Sequence, residues 1–349
     1  MKIKLNPSSK LAALAVVCLA GTTLLTGTSF TGALAQEPVW QVPRMPNGAP
    51  DLQGMWTNNT ITPFTRPANF ADKLVLTPQE AMALEQQVAE FTAQQDQPSD
   101  PQRSAPTKTQ IELADSYNNF WFDDGTRVAE FNGEYRSSLL TDPADGQLPA
   151  FTAAAQQRIE QQQALRSQRG AYAGPEARPL PERCLLAFGS SSGPPMLPIL
   201  YNNHYQVVQS EGYVMILVEM VHDARIIRIG DDPLPPGFTP WMGDSVGHWE
   251  GDTLVVTTTR FHPLQRFRNS SSAMQVEERF TRVSDSRINY SFTVTDPETF
   301  EQPFSGEIPW NLTDEKLYEY ACHEGNYSLP GVLAGARKDE VESEFGITR

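Results

Sequence analysis

The sequence predicts a mainly β protein, an antiparallel barrel of about eight to ten strands with two peripheral helices. Residues 205–209 and 213–220 are rich in β-favouring side chains and are joined by a short glycine-containing link, which is typical of a hairpin. Residues 288–295 alternate between apolar and polar side chains, as in a strand with one buried face. Consecutive hairpins of this kind favour a closed barrel, because closure removes exposed sheet edges.

Local signals place the remaining elements. Gly251-Asp252 is a tight-turn pair between two further β-rich runs, and a third hairpin crosses Asp285-Ser286. Thr77-Pro78-Gln79-Glu80 combines an N-cap, a first-turn proline and a capping-box glutamate, so a helix is expected over residues 77–95. A second helix is expected over residues 151–166. The other predicted strands are residues 117–122, 134–141, 304–309 and 316–322.

The amino-terminal stretch has the pattern of a secretory signal peptide cleaved after Ala35. Three lysines precede an apolar run over residues 11–25, and Ala33-Leu34-Ala35 supplies the small residues of a cleavage site. The expected location is therefore the periplasm or the exterior of the cell. Residues 36–349 are expected to form a single barrel domain with helical decoration near its amino terminus.

The charge of the chain excludes some classes of partner. Cleavage removes three lysines and no acidic residue, which changes the net charge from −15 to −18. Such an acidic chain disfavours nucleic acid and anionic membrane surfaces, and no stable membrane insertion is expected after cleavage. A small-molecule ligand or substrate is the expected partner. The sequence carries no signal that fixes an oligomeric state.

Two cysteines remain after cleavage, Cys184 and Cys322. In an oxidising compartment an isolated pair is most simply one disulfide, which here would tie the start of the β-rich half to its end. A metal site built from cysteine and histidine is the alternative, since His323 follows Cys322 directly.

Gly54-x-Trp56 resembles the signature at the first strand of lipocalin-like (calycin) barrels. The resemblance implies that Trp56 closes the floor of the barrel and that Gly54 lets the chain bend beside it. This likeness concerns the fold and implies little about function.

Three longer motifs resemble a family of exported bacterial proteins of unknown function. The motifs are EMVHDAR at residues 219–225, WMGDSVGHWEGDT at residues 241–253 and YEYACHEGNY at residues 318–327. This resemblance implies export and brings no activity with it.

Two histidines stand beside carboxylates and are the candidate acid–base residues. His222-Asp223 lies at a break between strands with Arg225 nearby, and His323-Glu324 follows the last predicted strand. A carboxylate can fix the tautomer of a histidine that acts as a general base, and Arg225 could stabilise an anion. In the alternative interpretation Asp223 pairs with Arg225, and both histidines have structural roles.

Aromatic and acidic side chains supply candidate ligand-binding positions: Tyr117, Trp121, Glu219, Trp241, Tyr320 and Tyr327. The aromatic residues could line a pocket for a ring or a sugar, or could belong to the core. Glu219, His222, His323 and Glu324 could together hold a divalent metal. They lack the spacing that makes a metal motif specific, so neither a metal nor a cofactor is predicted.

Two functions remain open from the sequence. The first is an exported enzyme of the lyase, hydrolase or isomerase class that performs acid–base chemistry on a small molecule in a barrel pocket. The second is a periplasmic carrier for an apolar or aromatic ligand without catalysis. Convergence of His222, His323 and Glu324 inside the barrel would favour the enzyme.

Overall fold

The computed structural model describes residues 40–95, 97, 102, 122–123, 125–187, 193–230 and 232–345. The predicted signal peptide, Tyr117 and Trp121 lie outside these residues. From Trp40 onwards the chain forms one compact unit.

The described residues contain thirteen strands and three helices longer than a single turn. The strands are β1 (Gly54–Thr57), β2 (Val75–Leu76), β3 (Glu130–Phe131), β4 (Glu134–Arg136), β5 (Leu140–Asp142), β6 (His204–Ser210), β7 (Tyr213–Val218), β8 (Ala224–Ile229), β9 (Asp244–Glu250), β10 (Thr253–Thr259), β11 (Gln275–Ser284), β12 (Arg287–Thr295) and β13 (Phe304–Leu312). The helices are α1 (Pro78–Gln95), α2 (Ala153–Arg169) and α3 (Ser328–Glu344).

Nine of these strands close into a barrel, which confirms the predicted lipocalin-like architecture. β6 to β13 pair in chain order, and β1 joins the two ends by pairing with both β6 and β13. β5 pairs with β13 outside the closed ring, while β2, β4 and β3 form a separate small sheet. Closure leaves no free edge between the first and last barrel strands.

Among the described strands, β8 and β9 pair in parallel, whereas the neighbouring barrel pairs are antiparallel. The connection between them contains Pro233, Pro235 and Pro236, which cannot donate to a strand ladder. Parallel neighbours require a crossover rather than a tight turn, and this proline-rich connection provides it.

Trp56 of β1 belongs to the buried core of the barrel. The Trp56 side chain is fully buried, and its Nε1 donates to the Leu52 carbonyl oxygen at 3.0 Å. The Arg282 guanidinium covers the indole, 5.5 Å from the ring centroid. Gly54 has φ +142°, and a Cβ there would lie 3.2 Å from both the Leu312 side chain and the Trp56 Nε1. Glycine at this position therefore avoids a close contact between a Cβ and the side chains of Leu312 and Trp56.

The protein's own aromatic rings fill the interior above Trp56. The rings of Tyr205 and Trp310 are stacked with centroids 4.5 Å apart, and Phe280 meets Trp310 edge-on at 5.5 Å. The Tyr290 ring lies 5.6 Å from the Trp310 ring. The lumen that these rings occupy is therefore a packed core.

A buried ion pair crosses the same core. The Arg225 guanidinium contacts both carboxylate oxygens of Glu278, at 2.8 Å to Oε1, and also donates to Thr258 Oγ1 at 3.0 Å. Tyr290 Oη donates to Glu278 Oε1 at 2.9 Å. Burial and the Glu278 charge raise the pKa of Tyr290 well above its usual value. These hydrogen bonds satisfy charged groups that water cannot reach.

The predicted disulfide is confirmed. Cys184 and Cys322 are bonded, with their Cα atoms 5.8 Å apart. The bond ties the segment that follows α2 to the segment that follows the barrel.

Both predicted helices are present as α1 and α2. Two strand predictions need correction, and one helix was not predicted. Residues 316–322 are not a strand, because β1 already pairs with β13 and leaves no barrel edge for them. Residues 134–141 divide into β4 and β5, which join different sheets. The sequence did not predict α3, since no residue of that helix is buried and its apolar side chains form no core-facing stripe. Within the described residues, none of the helices has the length and apolar character needed to cross a bilayer.

Candidate functional site

A cavity of about 710 Å³ lies where loop segments meet buried residues of the barrel core such as Leu139, Leu197 and Phe267. Parts of residues 60–64, 197–200 and 265–268 line it, and apolar side chains dominate its wall. We call this cavity the Phe64 cleft. Its volume falls within the usual range for small-molecule sites, about 300–1,000 Å³.

Backbone hydrogen bonds hold two walls of the Phe64 cleft in place. The amides of Leu139 and Leu140 donate to the carbonyl oxygens of Pro63 and Phe64, both at 2.9 Å, which fixes that segment beside β5. On the other wall, the amide of Ile199 donates to the buried Asn203 Oδ1 at 2.8 Å. These contacts anchor one wall of the cleft to the first residue of β5 and the other wall to Asn203, just before β6.

Arg268 lies at the cleft with its guanidinium over an aromatic ring. Its Cζ is 5.0 Å from the centroid of the Phe64 ring, and its backbone is left-handed with φ +51°. Partial desolvation lowers the pKa of Arg268. Among the described residues, no carboxylate forms an ion pair with this arginine, which lines the cleft.

Arg266 is a second cation on the wall of the Phe64 cleft. Its Nε donates to the Pro263 carbonyl oxygen at 3.1 Å. Desolvation, followed by the charges of Arg166 and Arg158, lowers the pKa of Arg266. The described part of the chain gives Arg266 no carboxylate partner either. The cleft thus combines an apolar wall with two cations.

The structure places the Arg225 side chain in the buried core of the barrel. The Arg225 side chain is 1% exposed and pairs with Glu278 in the barrel core. Asp223 and Trp241 line a different cavity, of about 420 Å³, which Arg225 also borders. Trp241 there stacks on His262, with ring centroids 3.8 Å apart.

His222 lies in the turn between β7 and β8, at the predicted break. Its Nε2 donates to the Tyr318 carbonyl oxygen at 2.9 Å. The Tyr320 amide lies 3.0 Å from the same Nε2 and 3.3 Å from Nδ1, and Nδ1 is the acceptor because Nε2 already carries the donated proton. His222 therefore fastens the segment that follows the barrel.

His323 and Glu324 are exposed in the turn after the disulfide. They lie outside the barrel strands, so they do not converge with His222 in the lumen. Tyr320 is partly buried against the core, whereas the Tyr327 side chain is 83% exposed. The described residues contain no group of three or more His, Cys, Asp or Glu side chains placed to hold a metal ion.

Sequence reasoning missed a second cluster, which is centred on His204. Its Nδ1 lies 3.1 Å from Glu219 Oε2 and 3.8 Å from Asp123 Oδ2, and its Nε2 lies 3.4 Å from Glu315 Oε2. The His204 side chain is 10% exposed and that of Glu219 is 4% exposed. Three carboxylates thus surround one nearly buried imidazole.

These neighbours set the protonation of the cluster. Burial acts to lower the pKa of His204, but the hydrogen bond to Glu219 and the charges of Asp123, Glu219 and Glu315 raise it overall. Burial acts to raise the pKa of Glu219, but its bonds to His204 and to the Tyr318 amide lower it overall. The pair therefore favours imidazolium beside carboxylate.

The hairpin register is the signal that could have revealed this pair. Tyr205 lies opposite Val218 across the β6–β7 hairpin, so the residues just beyond them, His204 and Glu219, also meet. The Ser210-Glu211-Gly212 link fixes that register in the sequence.

No protein-family model, curated protein or solved structure matches the chain. The likeness of its three motifs to a family of exported bacterial proteins therefore stays a prediction.

Proposed function

We propose that the protein binds a small apolar or aromatic molecule in the Phe64 cleft and acts as an exported carrier. The observation that carries this proposal is the apolar cleft of about 710 Å³ beside a barrel whose lumen is filled. A barrel can hold a ligand in its lumen, but here Tyr205, Phe280 and Trp310 occupy that space. The ligand site therefore belongs to the loops that flank the barrel.

Export is supported by the disulfide, because such bonds persist in oxidising compartments. The predicted cleavage after Ala35 would release the mature chain into the periplasm or the medium. Amino-terminal sequencing of the mature protein tests this part of the proposal, and a first residue other than Gln36 would contradict the assigned cleavage site.

A neutral hydrophobic dye, N-phenyl-1-naphthylamine, tests binding to the cleft. The dye should bind the wild-type protein with a fluorescence increase and a defined stoichiometry. Ile199→Trp places a larger side chain on the cleft wall and should weaken binding about tenfold or more. Val208→Trp adds the same bulk at an exposed position of β6 and is the matched control.

Circular dichroism and thermal unfolding of both variants show whether each retains its fold. Equal dye binding by the folded Ile199→Trp and Val208→Trp variants would contradict binding in the Phe64 cleft. Absence of saturable dye binding to the wild-type protein would contradict the carrier function.

A second candidate function is acid–base catalysis of the lyase, hydrolase or isomerase class. The observation that favours it is the nearly buried His204–Glu219 pair, in which a carboxylate orients an imidazole. In this candidate function the acid–base residue is His204 rather than His222, because the ring nitrogens of His222 form hydrogen bonds with backbone groups.

Hydrolysis of 4-nitrophenyl acetate is a direct probe of this second candidate. Wild-type hydrolysis should exceed that of His204→Gln by about 100-fold, a typical contribution of general acid–base catalysis. His222→Gln is the matched control and should retain the wild-type rate. Equal rates in all three proteins would remove the case for catalysis at His204.

A further inference from the structure

We infer that the ligand of the Phe64 cleft carries an anionic oxygen group, such as a carboxylate, which Arg268 and Arg266 bind. This inference rests on the proposed function, because it names the chemical class of the ligand for the same cleft. It also assigns a specific task to two arginines that otherwise have no ionic partner among the described residues.

The first support is the position of two arginines that form no ion pair with a described carboxylate. The protein has 42 acidic and 27 basic residues. Nine arginines in the described residues have a carboxylate oxygen within 3.3 Å: Arg44, Arg127, Arg136, Arg178, Arg225, Arg228, Arg279, Arg287 and Arg337. Arg266 and Arg268 instead lie together on the wall of the apolar Phe64 cleft. Their charges are therefore available to a ligand.

The second support is the positive surroundings of Arg266. Arg166 and Arg158 are close enough to disfavour its charge, and no carboxylate of the described residues forms an ion pair with Arg266. Arg266 and Arg166 also line an adjacent cavity of about 410 Å³. An incoming anion would relieve this repulsion, since it places negative charge among like-charged guanidinium groups.

The third support is the backbone at Arg268. Arg268 and Asn269 have φ values of +51° and +65°, a left-handed conformation that disfavours side chains with a Cβ. This turn directs the arginine side chain over Phe64. Strained backbone of this kind is concentrated at functional positions, and here it places a cation at an apolar site.

The geometry fits a flat carboxylate-bearing molecule. A guanidinium can donate two parallel hydrogen bonds to a carboxylate, which an ammonium group cannot reproduce. The apolar wall would take the body of the ligand, while Arg268 and Arg266 would bind its charged end. Packing of Arg268 on Phe64 serves this arrangement by limiting the orientations of the guanidinium.

Competition with the bound neutral dye tests the inference, using 2-naphthoate and its uncharged analogue 2-naphthamide. The wild-type protein should bind 2-naphthoate about tenfold or more tightly than 2-naphthamide, because a charge-assisted hydrogen bond is present only with the anion. The preference should shrink as salt is raised from about 0.05 M to 0.5 M.

Variants test which residues cause the preference for 2-naphthoate over 2-naphthamide. Arg268→Gln and the double variant Arg266→Gln/Arg268→Gln should lose most of the discrimination while still binding the neutral dye. Arg268→Lys should retain part of it. Arg279→Gln makes the same charge change on β11, away from the cleft, and should keep the wild-type ratio.

The outcomes separate this inference from the proposed function. Saturable dye binding with equal affinity for the two naphthalene compounds would overturn the anionic class and leave the carrier function in place. Discrimination that survives in the folded double variant would overturn the role of the two arginines. Absence of dye binding to the wild-type protein would overturn both.

Discussion

His204 and Glu219 meet across the open end of the β6–β7 hairpin, with the histidine Nδ1 3.1 Å from the glutamate Oε2. The other carboxylate oxygen, Glu219 Oε1, accepts from the Tyr318 amide at 3.1 Å. Because His222 also binds Tyr318 and Tyr320, two histidines and one glutamate fasten the chain after the barrel. The polar rim is thus a structural clamp as well as a candidate acid–base site.

Stability should depend on the protonation of His204. Its folded pKa is raised, so the stabilisation is fully present below the unfolded pKa, about 6.5, and is lost as pH rises through the folded value. Urea unfolding of the disulfide-intact protein should show wild type losing stability relative to His204→Gln over that rise. A difference between the two proteins that does not change with pH would contradict this linkage.

Removal of the Glu219 charge should weaken the clamp. The folded pKa of Glu219 is lowered, so its contribution is present above an ordinary glutamate pKa and is lost as pH falls through the folded value. Glu219→Gln should reduce the free energy of unfolding at neutral pH by about 1–3 kcal/mol. The exposed Glu211→Gln change in the hairpin link is the control. Similar losses in both variants would argue against a special role for Glu219.

Replacing only one partner of the ion pair between Arg225 and Glu278 should strongly destabilise the fold. Arg225→Met leaves Glu278 buried without its cation, so the free energy of unfolding should fall by about 3–5 kcal/mol. The double variant Arg225→Met/Glu278→Leu removes both charges and should recover much of that loss. Urea unfolding of the single and double variants measures the difference. A double variant that is less stable than Arg225→Met would contradict this view of the core.

Gly54 should tolerate alanine less well than a glycine with open surroundings. At Gly54 an added Cβ meets Leu312 and Trp56, whereas at Gly212 it meets nothing within 4 Å. The backbone at Gly54, with φ +142°, is also less accessible to alanine than that at Gly212, with φ +78°, so both effects act in the same direction. Gly54→Ala should reduce the free energy of unfolding by about 1–3 kcal/mol, and Gly212→Ala by less. Equal losses would contradict this difference between the two glycines.

Much of the fold could be predicted from the sequence because its signals are local. The alternation over residues 288–295 and the glycine-containing turns mark strands that the structure contains. The capping pattern at Thr77 marks the start of α1, where Glu80 Oε2 accepts from the Thr77 amide at 2.8 Å. Cys184 and Cys322 could be paired because no other cysteine remains after the predicted cleavage.

The ligand site could not be predicted in the same way. Phe64, Ile199 and Arg268 come from three distant loops, and no periodicity relates them. Their proximity depends on backbone contacts such as Leu140 to Phe64 and on the side chain of Asn203. His204 was also not predicted as a site residue from the sequence, although the hairpin register places it opposite Glu219.

Neighbouring positions in the sequence did not show which catalytic candidates would meet in space. A histidine beside an acid in the sequence need not share a site with it, because adjacent side chains point in different directions. The ring of His222 binds backbone groups of residues 318–320, and Arg225, three residues later, enters the barrel core. Spatial pairing across a hairpin is the more informative signal here.

A crystal structure of the mature protein with bound 2-naphthoate would test the central claim most directly. We expect the naphthalene ring in the Phe64 cleft, with its carboxylate oxygens roughly 3 Å from the Arg268 guanidinium. Density for the ligand at the His204 cluster or in the barrel lumen, with an empty Phe64 cleft, would contradict the account.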